Sequence, residues 1–125
     1  MEKRDVVVYS EDYKKLVDAT ALKDKYYEID ERVEEICKEA FKGCDKLEEI
    51  VMPKKLKKID GEAFSYCTGL SKITSLAEIP PVCDSEVFDG VNKTNCELIV
   101  PEGFVAAYTR AEGWNEFSNI RAFPE

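Results

Sequence analysis

The sequence predicts a solenoid, in which short units of one design stack on each other and share a core. Residues 40–50 read AFKGCDKLEEI, and residues 63–73, which begin 23 positions later, read AFSYCTGLSKI. Apolar residues and a cysteine recur in register, whereas the polar residues between them vary, as stacked units with a common core require. A period in the low twenties is typical of a leucine-rich repeat. The expected fold is therefore a leucine-rich-repeat solenoid.

The N-terminal segment, residues 1–25, is predicted to contain a β-hairpin and a link. The hairpin spans residues 5–19: Val6 to Tyr9 form its first strand, a polar turn follows, and Lys15 to Val17 return. Residues 20–25 are expected to be helical or irregular.

Repeating units, about three in number, are expected over residues 26–101. Residues 27–41 and 50–64 have the same order of apolar and polar positions. A third unit is degenerate, because Phe88 follows Phe64 by 24 residues but the cysteine expected next is lost. Each unit contributes a strand whose side chains point alternately into the core and out of it.

The C-terminal segment, residues 102–125, is predicted to form a helical and aromatic cap. Residues 102–111 can form a helix, and Trp114, Phe117 and Ile120 follow at a spacing of three. A cap is expected because the end unit of a solenoid otherwise exposes apolar surface to water. An aromatic ligand pocket is the alternative. The whole chain, 1–125, is expected to be one domain.

The charge of the chain restricts its partners. A net charge of −8 disfavours nucleic acid and anionic membranes, since both would repel it. The basic cluster Lys54, Lys55, Lys57 and Lys58 is a local exception that is interpreted as a solvated face. No apolar run approaches the ~20 residues of a membrane span, and the N-terminus lacks the apolar region of a signal peptide. The protein is therefore expected to be cytoplasmic if the 125 residues are complete, or part of a longer exported chain.

The five cysteines and the absence of histidine restrict the metal sites and catalytic groups that the chain can form. Cys44 and Cys67 occupy equivalent positions and are expected to be buried free thiols, because stacked strands hold side chains too far apart for a disulfide. A reactive thiol at Cys37, Cys83 or Cys96 remains open, since reactivity depends on exposure. With no histidine and no C-x-x-C motif, no familiar zinc site or His-based catalytic pair is available, and no metal or cofactor is expected. The chain is predicted not to be an enzyme, although a glycosidase-type carboxylate pair is left open.

The pattern I-x-x-x-A-F-x-x-C-x-x-L-x-x-I at 36–50 and 59–73 resembles the BspA-like leucine-rich repeat family of bacterial cell-surface proteins. The double proline at 80–81, the L-x-V-P of 98–101 and the G-W-x-x-F of 113–117 are similar to the usual ending of that family. The resemblance implies a right-handed solenoid with parallel strands on one face and short helical or extended segments on the other. It also implies a secreted or cell-surface protein in adhesion or host-protein binding.

The predicted function is a non-catalytic protein-interaction module whose binding site is the outward row of strand residues. A partner such as a host extracellular matrix or surface protein follows from the resemblance, and the chain is expected to be a monomer. The alternative is a structural spacer or capping segment of a longer repeat array, without a ligand of its own. The predicted site residues are Tyr26, Glu28, Glu49, Val51, Lys72, Thr74, Glu97 and Ile99.

Overall fold

A computed structural model describes residues 6–123 and shows a β-solenoid of about five turns with two sheets. The long sheet has the strand order β10-β9-β7-β5-β3 and is parallel throughout, whereas the short sheet has the order β1-β2-β4-β6-β8. The predicted leucine-rich-repeat solenoid is confirmed. In chain order the elements are β1 (Val8–Tyr9), β2 (Lys15–Asp18), β3 (Tyr26–Glu28), β4 (Glu35–Ile36), β5 (Glu49–Met52), β6 (Lys58–Ile59), β7 (Lys72–Ser75), β8 (Val82–Cys83), β9 (Glu97–Val100), α1 (Val105–Arg110) and β10 (Asn119–Ala122).

The N-terminal hairpin is present, but its first strand is shorter than predicted. Only β1 pairs with β2, with a register shift between Val8 and Tyr9, and Val6 and Val7 instead pack against the core. Strand β2 then pairs in parallel with β4, so the hairpin covers the N-terminal edge of the short sheet. It does not pair with β3, which is an edge strand of the long sheet. Asp5, where the predicted hairpin begins, lies outside the described residues.

The recurring residues form ladders through the core. The ring centroids of Phe41 and Phe64 are 4.7 Å apart and those of Phe64 and Phe88 are 5.7 Å apart, and both pairs are stacked. All three side chains are almost fully buried. Aromatic contacts of this kind stabilise a core beyond the effect of burial alone. The recurring phenylalanines therefore stabilise the contact between successive turns.

Three successive turns of the solenoid use left-handed backbone at two recurring positions. Such backbone is costly for residues other than glycine, so its recurrence marks a fixed turn design. The first position is always a glutamate, whereas the second is a glycine in two units and a tyrosine between them. The residues and their φ angles are Glu39 (60°), Glu62 (57°) and Glu86 (59°), then Gly43 (76°), Tyr66 (61°) and Gly90 (83°).

The C-terminal segment differs from the prediction in two respects. The helix α1 spans six residues rather than ten, since Gly103 is left-handed (φ 91°) and Phe104 closes a turn onto the carbonyl of Pro101. A further strand, β10, pairs in parallel with β9 along four residues. Trp114 and Phe117 are buried, as an aromatic cap requires, and the role of the segment as a cap stays a prediction. Residues 124–125, included in the predicted cap, lie outside the described residues.

Candidate partner-binding face

The candidate site is the outer surface of the long sheet, on which every second side chain points away from the core. Strand pairing aligns these side chains in two outer rows that cross all five strands. Neighbouring strands lie about 4.8 Å apart, so adjacent members of a row can touch the same ligand group. The first row is Tyr26, Glu49, Lys72, Glu97 and Asn119, and the second row is Glu28, Val51, Thr74, Ile99 and Arg121.

The eight predicted site residues all lie in the outer rows, but they differ in exposure. Tyr26 and Glu28, on the edge strand, are exposed, and 52% of the Tyr26 surface is accessible. Ile99 is only 6% exposed, so it offers little surface to a partner. The other five are half-buried: Glu49, Val51, Lys72, Thr74 and Glu97.

Ile99 lies beside a strand, β10, that the sequence analysis does not foresee. Ile99 lies between Thr74 of β7 and Arg121 of β10, and it is separate from the hydrophobic core cluster. Val51 and Thr74 also have a neighbour on each side, and they are half-buried. Asn119 and Arg121 extend both rows beyond the predicted residues. The alternation of polar and apolar residues in 119–122, which read NIRA, was the available signal, since a strand with one buried face has this pattern.

The three charges of the first outer row, Glu49, Lys72 and Glu97, alternate in sign across the sheet. Arg121 contacts Glu97, with Nη2 2.9 Å and Nε 3.1 Å from Oε2. Lys72 lies in register between Glu49 and Glu97, yet within residues 6–123 its ammonium forms no ion pair. The rows thus offer a partner one unpaired cation flanked by carboxylates.

An aromatic side chain marks the free edge of the rows. The hydroxyl of Tyr26 donates a hydrogen bond to Oε1 of Glu28 at 3.4 Å. Desolvation and the neighbouring carboxylate raise the pKa of Tyr26, so the hydroxyl keeps its proton. That single proton is donated either to Glu28 or to a partner, whereas the hydroxyl oxygen can accept a hydrogen bond from a partner at the same time. Tyrosines of this kind, with an apolar body and a polar tip, are enriched at protein interfaces.

The predicted pair of buried thiols is confirmed. Cys44 and Cys67 are free, and their Sγ atoms donate hydrogen bonds to carbonyls of the preceding turn, Ala19 at 3.2 Å and Phe41 at 3.1 Å. Burial raises the pKa of Cys44 to about 11 and that of Cys67 to about 12. Both thiols therefore stay protonated and act as small core residues.

The three other cysteines have properties that disfavour a reactive thiol. Cys96 is buried, and Cys37 and Cys83 are half-buried. Burial raises the pKa of Cys83 and of Cys96 to about 12, and it also raises the pKa of Cys37. Since the thiolate is the nucleophile, these shifts lower reactivity at neutral pH.

A cluster on the short sheet has the residue types of a metal site. Ligand atoms of Glu35, Cys37 and Asp60 lie within 4.8 Å of one another. The ammonium of Lys58 is 3.5 Å from Oδ1 of Asp60, and it already supplies positive charge there. The hydrogen bond with Asp60, followed by burial, raises the pKa of Glu35, as expected when two carboxyl groups crowd together. We assign no metal to this cluster.

Within the described residues, no helix has the length and apolar character needed to cross a membrane. Among curated proteins, none matches the chain. A family model described as BspA type leucine rich repeat region (6 copies) matches residues 20–104, which is more than half of the chain. Proteins with this type of repeat are typically surface-exposed, and their solenoids are typically non-enzymatic scaffolds for protein interaction. The chain therefore belongs to the BspA-type leucine-rich repeat family.

Proposed function

We propose that the protein is a non-catalytic module that binds a protein partner through the outer rows of the long sheet. The continuous alignment of side chains from five parallel strands is the observation that carries this proposal. Ile99 is left out of the site because it is buried. The proposed contact residues are Tyr26, Glu28, Glu49, Val51, Lys72, Thr74, Glu97 and Arg121.

The composition of the outer rows suits a protein better than a small molecule. Tyr26 offers an exposed aromatic side chain, Val51 and Thr74 offer β-branched side chains, and charged groups of both signs surround them. Aromatic anchors within a polar rim are typical of protein interfaces. The net charge of −8 argues for a partner other than nucleic acid.

The partner that we propose is a host extracellular matrix or surface protein, bound by a bacterial surface protein during adhesion. The support is the surface exposure typical of BspA-type repeat proteins. On this proposal the chain is displayed at the cell surface and acts as a monomer. Sedimentation of the purified chain would measure the last point directly.

The test is binding of the purified chain to a panel of matrix proteins and mucins at physiological salt. The double variant Glu49→Lys/Lys72→Glu reverses two adjacent charges and leaves the net charge at −8. We expect saturable binding that this variant weakens at least ~10-fold, since like charges would then meet the partner at two positions. The matched control is Lys38→Glu/Glu112→Lys, which swaps two exposed charges outside the outer rows. Equal binding by both variants and the native chain would remove the outer rows as the site.

A second candidate function, a spacer within a longer array, is favoured by the open edges of the long sheet. Within residues 6–123, no strand pairs with the outer edge of β3 or of β10. A strand of a neighbouring unit could continue the sheet at either edge. Immunoblotting of the native product would test this reading. A product of 14.2 kDa would contradict it, whereas a much larger product together with failure of all panel binding would support it.

A further inference from the structure

A groove outside the outer rows lies where two successive turns leave the long sheet for the short sheet. The segment between β5 and β6 and the segment between β7 and β8 run side by side there and border an open groove of about 590 Å³. Its lining includes Leu56 and Ala77, which are buried, and Ile79 and Val82, which are exposed. We call this the corner groove. Its volume is within the range of sites that bind small molecules and peptide side chains.

The apolar wall of the corner groove is unusually exposed. Ile79 is 81% and Val82 is 67% exposed, the two highest values among the large hydrophobic residues within 6–123. The wall is also held in place, because Pro80 and Pro81 restrict the backbone and Nε1 of Trp114 donates to the carbonyl of Pro81 at 2.9 Å. A fixed apolar wall needs little reordering when a ligand covers it.

The opposite wall of the corner groove is basic. Lys54, Lys55 and Lys57 line it, and Lys57 has Nζ 3.9 Å from Oε1 of Glu34. Among the residues that the structure describes, Lys54 and Lys55 form no ion pair. The remaining acidic side chain of the lining is Glu78. The groove therefore concentrates unpaired positive charge on a chain whose net charge is −8.

We propose that the corner groove binds an acidic peptide segment of a partner protein, with aliphatic side chains against Ile79 and Val82 and carboxylates against Lys54 and Lys55. The charge complementarity of the basic wall selects an acidic ligand, and the apolar wall selects aliphatic anchors. A peptide is favoured over an anionic membrane because its contacts stay close to the lysines. Screening at physiological salt acts over about 8 Å, whereas a membrane would face much of the acidic surface.

The test is an NMR titration, in which the chain is isotopically labelled and a short peptide of alternating leucine and glutamate is added. The peptide concentration is raised to about 2 mM, at which even a Kd near 1 mM is detected. We expect NMR shift changes at Ile79, Val82 and Lys55, and a Kd that rises with salt. Ile79→Ser should weaken binding roughly tenfold, and Lys54→Gln/Lys55→Gln roughly three- to tenfold. Matched controls are Val17→Ser, on the hairpin, and Lys23→Gln/Lys46→Gln, which remove exposed groups elsewhere. Both controls should bind as the native chain does.

Three outcomes would overturn the proposal. The first is no shift change at the corner groove at the highest peptide concentration. The second is equal binding of a peptide in which lysine replaces glutamate, because charge complementarity would then be absent. The third is groove-dependent binding to phosphatidylserine vesicles without peptide binding, which would assign the surface to lipid. The variants change exposed side chains, and thermal unfolding followed by circular dichroism checks that each is folded.

Discussion

A side chain added at Gly90 should cost more stability than one added at Gly43, which occupies the equivalent position two turns earlier. Both glycines have left-handed backbone, with φ of 83° and 76°. A Cβ added to Gly90 would lie 2.7 Å from Cδ1 of Tyr66 and 3.1 Å from the Cα and N atoms of that residue. A Cβ added to Gly43 would meet nothing within 4 Å. The pair therefore separates backbone strain from crowding.

The expected losses follow from these two terms. Left-handed backbone costs an L-residue about 1–2 kcal/mol, so Gly43→Ala should lower the free energy of unfolding by that amount. Crowding adds about 1–3 kcal/mol when neighbouring backbone must shift, so Gly90→Ala should lose about 2–5 kcal/mol. At roughly 4 °C per kcal/mol for a chain of this size, Tm should fall by about 4–8 °C and about 8–20 °C respectively.

Urea and thermal unfolding followed by circular dichroism would measure both variants. Tyr66→Ala supplies a further control, because it removes the ring that meets the new Cβ but keeps a non-glycine residue at φ 61°. In the Tyr66→Ala chain, Gly90→Ala should lower the free energy of unfolding by less than it does in the native chain, but by more than Gly43→Ala does. The reason is that two of the three close contacts of the new Cβ are to the backbone of residue 66, which Tyr66→Ala leaves in place. Equal losses for Gly43→Ala and Gly90→Ala would refute the reasoning.

Three other predictions concern the core and its ionisable groups. Phe64→Ala should cost about 3–5 kcal/mol and Phe64→Leu clearly less, because Phe64 is fully buried between Phe41 and Phe88; equal urea midpoints would contradict this. Tyr108→Phe should cost about 1–3 kcal/mol in the same assay, because the Tyr108 hydroxyl lies 2.7 Å from Ser75 Oγ and donates to the Ala77 carbonyl at 2.6 Å. The control is Tyr13→Phe, which changes an exposed tyrosine and should leave the free energy of unfolding nearly unchanged. The free energy of unfolding should fall as pH rises above about 9, because the unfolded chain then loses thiol protons that the folded chain keeps, at up to about 1.4 kcal/mol per pH unit for each buried thiol. Cys67, with its pKa raised to about 12, should contribute to this slope, so a Cys67→Ala chain with an unchanged slope between about pH 8 and 10 would refute the assignment.

The outer rows and the corner groove would make the module bivalent if both proposals hold. The two surfaces differ in character: the first outer row alternates in charge, whereas the corner groove combines a basic wall with exposed aliphatic side chains. Two weak contacts on one partner raise affinity through effective concentration. A partner that uses both should lose more affinity from Glu49→Lys/Lys72→Glu with Ile79→Ser than from either change alone.

The sequence by itself determined the fold and most of the core. Phe41, Phe64 and Phe88 could be assigned to one buried ladder because apolar types recur at a nearly constant interval while polar types do not. The alternation within each strand then placed Glu49 and Lys72 on the outer surface and in register. These features depend on the repeat alone, and a repeat is visible without knowledge of the path of the chain.

Only the tertiary structure decided what happens where the repeat breaks down. Residues 119–122 add a fifth strand, which places Arg121 beside the buried Ile99 and within ion-pair distance of Glu97. The corner groove likewise arises because the lysines of one turn lie beside Ile79 and Val82 of the next turn. The preceding unit has no apolar pair equivalent to Ile79 and Val82, so the repeat does not predict the groove. The physical reason is that periodicity specifies which side of a strand a residue occupies. Exposure depends also on the neighbouring strand or turn, and that neighbour is chosen by the path of the whole chain.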